Sequence, residues 1–159
     1  MNVKTIIEAL HLLPHPEGGY YKETYRSTHK VRTRYNTLRS AETLIYFLLE
    51  KDQKSHFHRL QSDETWFFHQ GESIEILAVI DGKLQNYVLG NNIENNESPQ
   101  ITIPAHTWFA AHLTKEKDYA LVSCSVAPGF EFTEFEIADR EDLLKTFPHL
   151  KDTILHFTL

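Results

Sequence analysis

The sequence predicts an all-β jelly-roll barrel with a short helix near each terminus, built as one domain over residues 1–159. Three observations carry this. Short runs of alternating or continuous apolar residues recur at regular spacing from Tyr20 to Ile137. Polar breaks rich in Gly, Asn, Asp and Pro separate them, as antiparallel connections require. Helical periodicity is confined to the two ends.

Val3, Ile6, Ile7, Leu10 and Leu13 recur at helical spacing, with Asn2 placed to cap and Pro14 and Pro16 to stop the helix. The Gly18-Gly19 pair turns the chain into a first strand, where Tyr20, Lys22 and Thr24 alternate with Tyr21, Glu23 and Tyr25. Residues 29–42 are polar and carry Lys30, Arg32, Arg34 and Arg39, which reads as a solvated loop or irregular strand. Thr43 to Leu49 is almost continuously apolar, as in a strand buried on both faces. Ser73 to Ile80 and Lys83 to Leu89 flank Asp81-Gly82, a type I′ hairpin signal. Strands are expected at 100–103, 107–113, 119–126 and 133–137, then a helix capped by Asp139 and ended by Pro148.

A hydrophobic fraction of 41% and an aromatic fraction of 12% supply one sizeable core. The net charge of −6 argues against nucleic acid or an anionic membrane as partner. Cys124 is the single cysteine and lies in a strand pattern, so no internal disulfide forms; the expected setting is reducing and cytoplasmic. Lys4, Glu8 and His11 interrupt the apolar N-terminal run, so no secretory leader is expected.

The densest chemistry lies in Ser55 to Gly71. In extended chain His56, His58 and Leu60 share a face, as do Glu64, Trp66 and Phe68 after the turn 61–63. Two such strands bring His58 and Glu64 into one aromatic-walled cavity. The spacing from His58 through Leu60 and Glu64 to Gly71 resembles the first cupin motif, with Asp52 in place of its opening glycine. Residues 103–109 resemble the second motif, with His106 at a glycine place and Phe109 at a histidine place. On this alignment Leu60 and Phe109 occupy two of the four usual metal-ligand positions.

The resemblance extends to His15-Pro-Glu-Gly-Gly-Tyr-Tyr, Pro104 through Trp108 and Ala127-Pro-Gly-Phe-Glu-Phe. Together these make the chain similar to small single-domain cupins of a Cupin_5-like group, which share their shape with dTDP-sugar epimerases and have no settled reaction. The resemblance implies a cupin barrel and a homodimer in which the strand from Tyr20 joins the partner's sheet. In the epimerase alignment Gly18 stands where a substrate-binding Arg is found.

The functional expectation is a small-molecule-binding cupin, with an epimerase or isomerase of a sugar or keto compound as its catalytic form. His58 is the expected base, oriented by Glu64 or Glu23, and Tyr21 or Tyr46 the acid. Arg26 is a candidate anion contact, while His56, Trp66, Phe68, His106 and Trp108 are candidate ligand-binding residues. A non-catalytic binding protein is the alternative. No metal is expected to be required. A metal-dependent isomerase or dioxygenase would take His58 and Glu64 with His56 or His106 as a third ligand.

Overall fold

The computed structural model describes residues 2–159. Asn2 caps α1 (Val3–Ala9), its side-chain oxygen accepting the Lys4 N–H at 2.9 Å. Five strands follow before the motif-bearing region: β1 (Leu13–Pro14), β2 (Tyr20–Arg26), β3 (Lys30–Arg32), β4 (Leu38–Ser40) and β5 (Thr43–Glu50). The motif strands are β6 (Lys54–Arg59) and β7 (Asp63–Gly71), and the hairpin is β8 (Ile74–Ile80) with β9 (Lys83–Leu89). Asp81 and Gly82 both have positive φ, 52° and 73°, as the type I′ turn demands. Then come β10 (Gln100–Ile103), β11 (Phe109–Leu113), β12 (Tyr119–Ala127) and β13 (Glu136–Ile137). Two short helices close the chain, α2 (Arg140–Thr146), capped by Asp139, and α3 (Lys151–His156).

Two antiparallel sheets face each other. One runs β1-β2-β5-β12-β7-β10 and the other β13-β6-β11-β8-β9, with β3 and β4 pairing separately. The apolar run at β5 is explained by its position between β2 and β12. Phe47 and Leu49 point inward to Trp66, Ile76, Phe109 and Val122, while Leu48 points outward to Ile6 and Leu12 beside α1. The outer face of the second sheet is covered by Leu143, Ile154 and Phe157, which pack on Phe57, Leu77 and Ala110. Burial of such side chains, each stabilising by about 1.5–3 kcal/mol, closes both faces.

Several boundaries differ from the sequence expectation, the first being the N-terminal helix, which ends at Ala9 so that Leu13 and Pro14 pair with β2. The polar stretch 29–42 forms the β3–β4 hairpin, held across its turn by a Thr33–Thr37 hydroxyl pair at 2.7 Å. The strand expected from Thr107 begins at Phe109, because His106 turns at φ 64° and donates its N–H to the Leu60 carbonyl at 2.7 Å. The segment expected as a strand over 133–137 opens as a 3₁₀ turn, Phe132–Glu134, and only Glu136–Ile137 pairs with β6. Beyond Pro148 the chain turns and resumes as α3, so two helices stand at the C-terminal end.

Candidate functional site

His58 lies on β6 opposite Phe109 and Ile137, and Glu64 lies on β7 opposite Val126. The two sheets therefore present them from opposite sides of one barrel mouth. There they line a cavity of about 200 Å³. Ile45, Leu60, Cys124 and Val126 supply apolar lining, and Phe130, Phe132 and Phe135 wall one side.

The partner of His58 is a residue that sequence reasoning did not assign. Its Nε2 meets Glu17 Oε2 at 2.8 Å, and its Nδ1 donates to the His56 carbonyl at 2.8 Å. Both ring nitrogens are thus engaged, so the expected direct His58–Glu64 hydrogen bond is replaced by a His58–Glu17 pair. Glu64 instead accepts the Trp66 indole N–H at 2.7 Å. All three ionisable groups are nearly sealed, with exposures of 2% for His58, 5% for Glu17 and 7% for Glu64.

Glu17 is delivered by a tight loop. His15 N–H donates to the Gly19 carbonyl at 2.9 Å, and Gly18 N–H to the His15 carbonyl at 3.0 Å. The Glu17 carbonyl accepts from both His56 N–H and His56 Nδ1, each at 2.8 Å, which ties the loop to β6. Gly18 has φ 111°, and a Cβ there would lie 1.9 Å from the Lys54 carbonyl oxygen. No side chain fits at this position, an arginine included.

The electrostatics follow from burial and pairing. Burial alone would lower the His58 pKa, but the Glu17 charge and hydrogen bond, with Glu64 and the His56 carbonyl, raise it above 6.5. Burial would raise Glu17, yet His58 outweighs it and holds the carboxyl below its ordinary value. Glu64 has only a neutral donor against its carboxyl, so burial pushes it up to about 7. His15 stands 3.8 Å from Glu17 by its Nδ1, but that nitrogen accepts the Glu17 N–H at 3.1 Å. It therefore carries no proton, in agreement with a pKa that burial lowers. The buried Cys124 thiol is pushed up well above its ordinary value, so it lines the cavity as a small neutral group.

A stability prediction follows from Glu64. Its folded pKa of about 7 lies above the unfolded 4.5, so the folded state binds more protons between these values. Stability then falls as pH rises from 4.5 to 7. Glu64→Gln, which can still accept from Trp66, is expected to match the wild type at pH 4. At pH 8 it should exceed it by about 3 kcal/mol, at 1.36 kcal/mol per pKa unit. Urea melts at the two pH values measure this.

Of the other residues singled out from sequence, Tyr21, Glu23 and Arg26 reach the cavity. Arg26 is already clamped: its guanidinium binds Glu23 at 2.7 Å, Glu131 at 3.0 Å and the Phe130 carbonyl at 2.9 Å. Six candidates lie outside the lining. His56 anchors the loop through Glu17. Trp66 is fully buried in the core and reaches the site only through its indole N–H, while Phe68 packs against that core. Tyr46 packs beside α1 on the outer face, its ring 6.1 Å from His69. His106 bonds the Tyr35 hydroxyl at 2.5 Å, and Trp108 packs with the C-terminal helices under Arg59, 4.3 Å from its ring. Each strand-face assignment placed the backbone correctly, but the cavity occupies only one end of the barrel. The residues missed are His15, Glu17 and the phenylalanines of 130–135; the signal for the first two was a glutamate set against a Gly-Gly turn in His15-Pro-Glu-Gly-Gly.

The donor set does not fit a metal held in the cupin manner. Leu60 and Phe109 stand at two ligand positions, and Phe109 instead packs its ring 4.2 Å from that of His58. Both His58 nitrogens are occupied, and among the described residues no group of three or more His, Cys, Asp or Glu is arranged to hold a metal ion.

Comparison with known proteins shows what the whole chain is similar to. The family model Cupin_5, described as Cupin superfamily (DUF985), matches residues 4–138. The uncharacterized protein YML079W of Saccharomyces cerevisiae is 29% identical over 158 residues, covering 91% of this chain and 79% of that protein. A hypothetical protein from Leishmania major is similar in structure, with a TM-score of 0.93 and 34% identity over 99% of each chain. Protein SO0799 from Shewanella oneidensis has a TM-score of 0.91 and 36% identity, covering 100% of this chain and 98% of its own.

Proposed function

We propose that the barrel mouth of this chain, which belongs to the Cupin_5 (DUF985) family of the cupin superfamily, is a proton-transfer site. The reaction class is isomerisation of a small sugar or keto compound. One observation carries the reading: the carboxyls of Glu17 and Glu64 line the same cavity with their pKa values driven apart by their surroundings, Glu17 lowered by the His58 bonded to it and Glu64 raised by burial. Pairs of titratable groups pushed apart in pKa mark acid and base roles.

The hydrogen bonds of His58 reassign the base. With its Nε2 on Glu17 and its Nδ1 on a carbonyl, His58 orients and stabilises the carboxylate, and Glu17 takes the proton. A C–H bond next to a carbonyl breaks, its proton passes to Glu17, and its electron pair forms the enediol while the carbonyl oxygen takes the Glu64 proton. Return of the proton from Glu17 to the neighbouring carbon, and of the hydroxyl proton to Glu64, completes an isomerisation with no net change in the protein. Tyr21 is the remaining candidate acid in the lining.

A second reading is favoured by the same hydrogen bonds: a His58 already bonded at both nitrogens suits a binding protein without chemistry. Exchange in D₂O separates the two. Aldoses, ketoses and α-hydroxy ketones incubated with the protein are expected to incorporate deuterium at the carbon next to the carbonyl, followed by proton NMR. Glu17→Gln should slow this by about 100-fold or more, the scale of general acid–base catalysis. Ligand-observed binding with no accelerated exchange for any compound would overturn catalysis in favour of binding alone.

A further inference from the structure

Cavity lining and rim together specify the charge of what enters. Arg26 is the cationic side chain of lysine or arginine type in the lining, and its donors are already directed at Glu23 through Nε and one terminal nitrogen, at Glu131 through the other, and at the Phe130 carbonyl. Two carboxylates face this one guanidinium, so the rim keeps a surplus negative charge. Inside, the Glu17–His58 pair cancels itself. Glu64 accepts the Trp66 N–H on one oxygen, and its other oxygen holds the proton that the isomerisation uses, so the charge open to a ligand lies at the rim.

Beside these acids stands an aromatic corner. The Phe130 and Phe132 rings lie 4.9 Å apart, Phe130 and Phe135 5.9 Å, and Phe132 and Phe135 6.1 Å, each pair nearly edge to face. His15, uncharged, approaches Phe135 at 5.7 Å and completes the corner. Phe132 is 50% exposed and so open to a ligand. Ring faces attract cations through their quadrupole, and carboxylates in a partly desolvated mouth add charge-assisted hydrogen bonds. A phosphate or carboxylate would meet neither a free cation nor an N–H array here.

We infer that the cavity takes a small ring-sized ligand bearing a protonated amine, its ammonium between the Phe130–Phe132–Phe135 corner and the rim carboxylate of Glu131. For the isomerase this names the substrate class as an amino sugar or amino ketone, and to that extent rests on the proton-transfer reading. Ligand-observed NMR titration with cyclohexylamine, cyclohexanol and cyclohexanecarboxylate at pH 7 tests it, since the three differ in charge alone at one ring size. Glucosamine against glucose repeats the comparison with a sugar. The amines are expected to bind at least about tenfold tighter than their neutral counterparts, and the carboxylate not at all. Glu131→Gln and Phe132→Ala should each weaken the amine about fivefold or more and leave cyclohexanol within twofold. Equal or tighter binding of the alcohol or carboxylate, or no binding of any probe, overturns the inference. Glu17→Gln tells the two proposals apart. If it abolishes deuterium exchange while the amine preference persists, both stand; if the wild type prefers amines yet exchanges nothing, only the catalytic reading falls.

Discussion

Glu17→Ala is expected to lower the unfolding free energy by about 3–5 kcal/mol, the cost of stranding one partner of a buried ion pair. His58 is then left sealed against Phe109 with no carboxylate on its Nε2. The pH dependence fixes the cause. His58 has a folded pKa above 6.5, so its share of the stability is complete below that pH and is lost as pH rises through the folded value. Glu17 has a folded pKa below 4.5, so its share is complete above that pH and is lost as pH falls through the depressed value. The two overlap between 4.5 and 6.5, and there the loss in Glu17→Ala should be greatest. Guanidinium melts across pH 4 to 9 measure it; a loss that is flat with pH would show that packing, and not charge, holds this pair.

Gly18→Ala is expected to cost a comparable amount by a different route. Holding a residue with a Cβ at φ 111° stores about 1–3 kcal/mol of strain. Relieving the 1.9 Å approach to the Lys54 carbonyl adds about 1–3 kcal/mol of the kind seen on overpacking. The displaced loop also carries Glu17 away, so the His58 pKa, followed by imidazole NMR, should fall below that of the wild type. Gly82→Ala is the control. It has φ 73° at the hairpin turn with nothing within 4 Å of its Cβ, so only strain of about 1 kcal/mol is expected there and no change at His58.

The barrel was legible in the sequence because its information is local. Alternation in β7, the two-sided run of β5 and the Asp81-Gly82 turn each state their structure within a few residues. The same reasoning carries His58, Glu64, Tyr21 and Glu23 to the lumen by face parity, whereas Arg26, of opposite parity to Tyr21 and Glu23, arrives there because β2 is irregular between Glu23 and Tyr25. It failed where contact is set by distant chain. Glu17 reads as an exposed loop acid, and only the approach of Gly18 to β6 seals it against His58. Trp66 and Phe68 share the inward face with Glu64, yet pattern says nothing about how far along the barrel the packing stops and the cavity starts. Arg26 looked like an anion contact because Glu131 lies 105 positions away.

That separation bears on the order of folding events. His15 and Glu17 line the cavity from the N-terminal loop, β2, β5, β6, β7 and β12 line it from the sheets, and the aromatic wall comes from 130–135. Contacts between ends this far apart form late, because long loops must close before the contacts reward them. The aromatic wall, outside the paired strands, is therefore expected to order no earlier than the sheets that frame it. What docks last is held by the least surrounding structure, so it is also the first to open in the native state. Amide hydrogens of 130–135, which lie outside both sheets, should exchange well ahead of those in β5 and β12, an order that hydrogen exchange would measure.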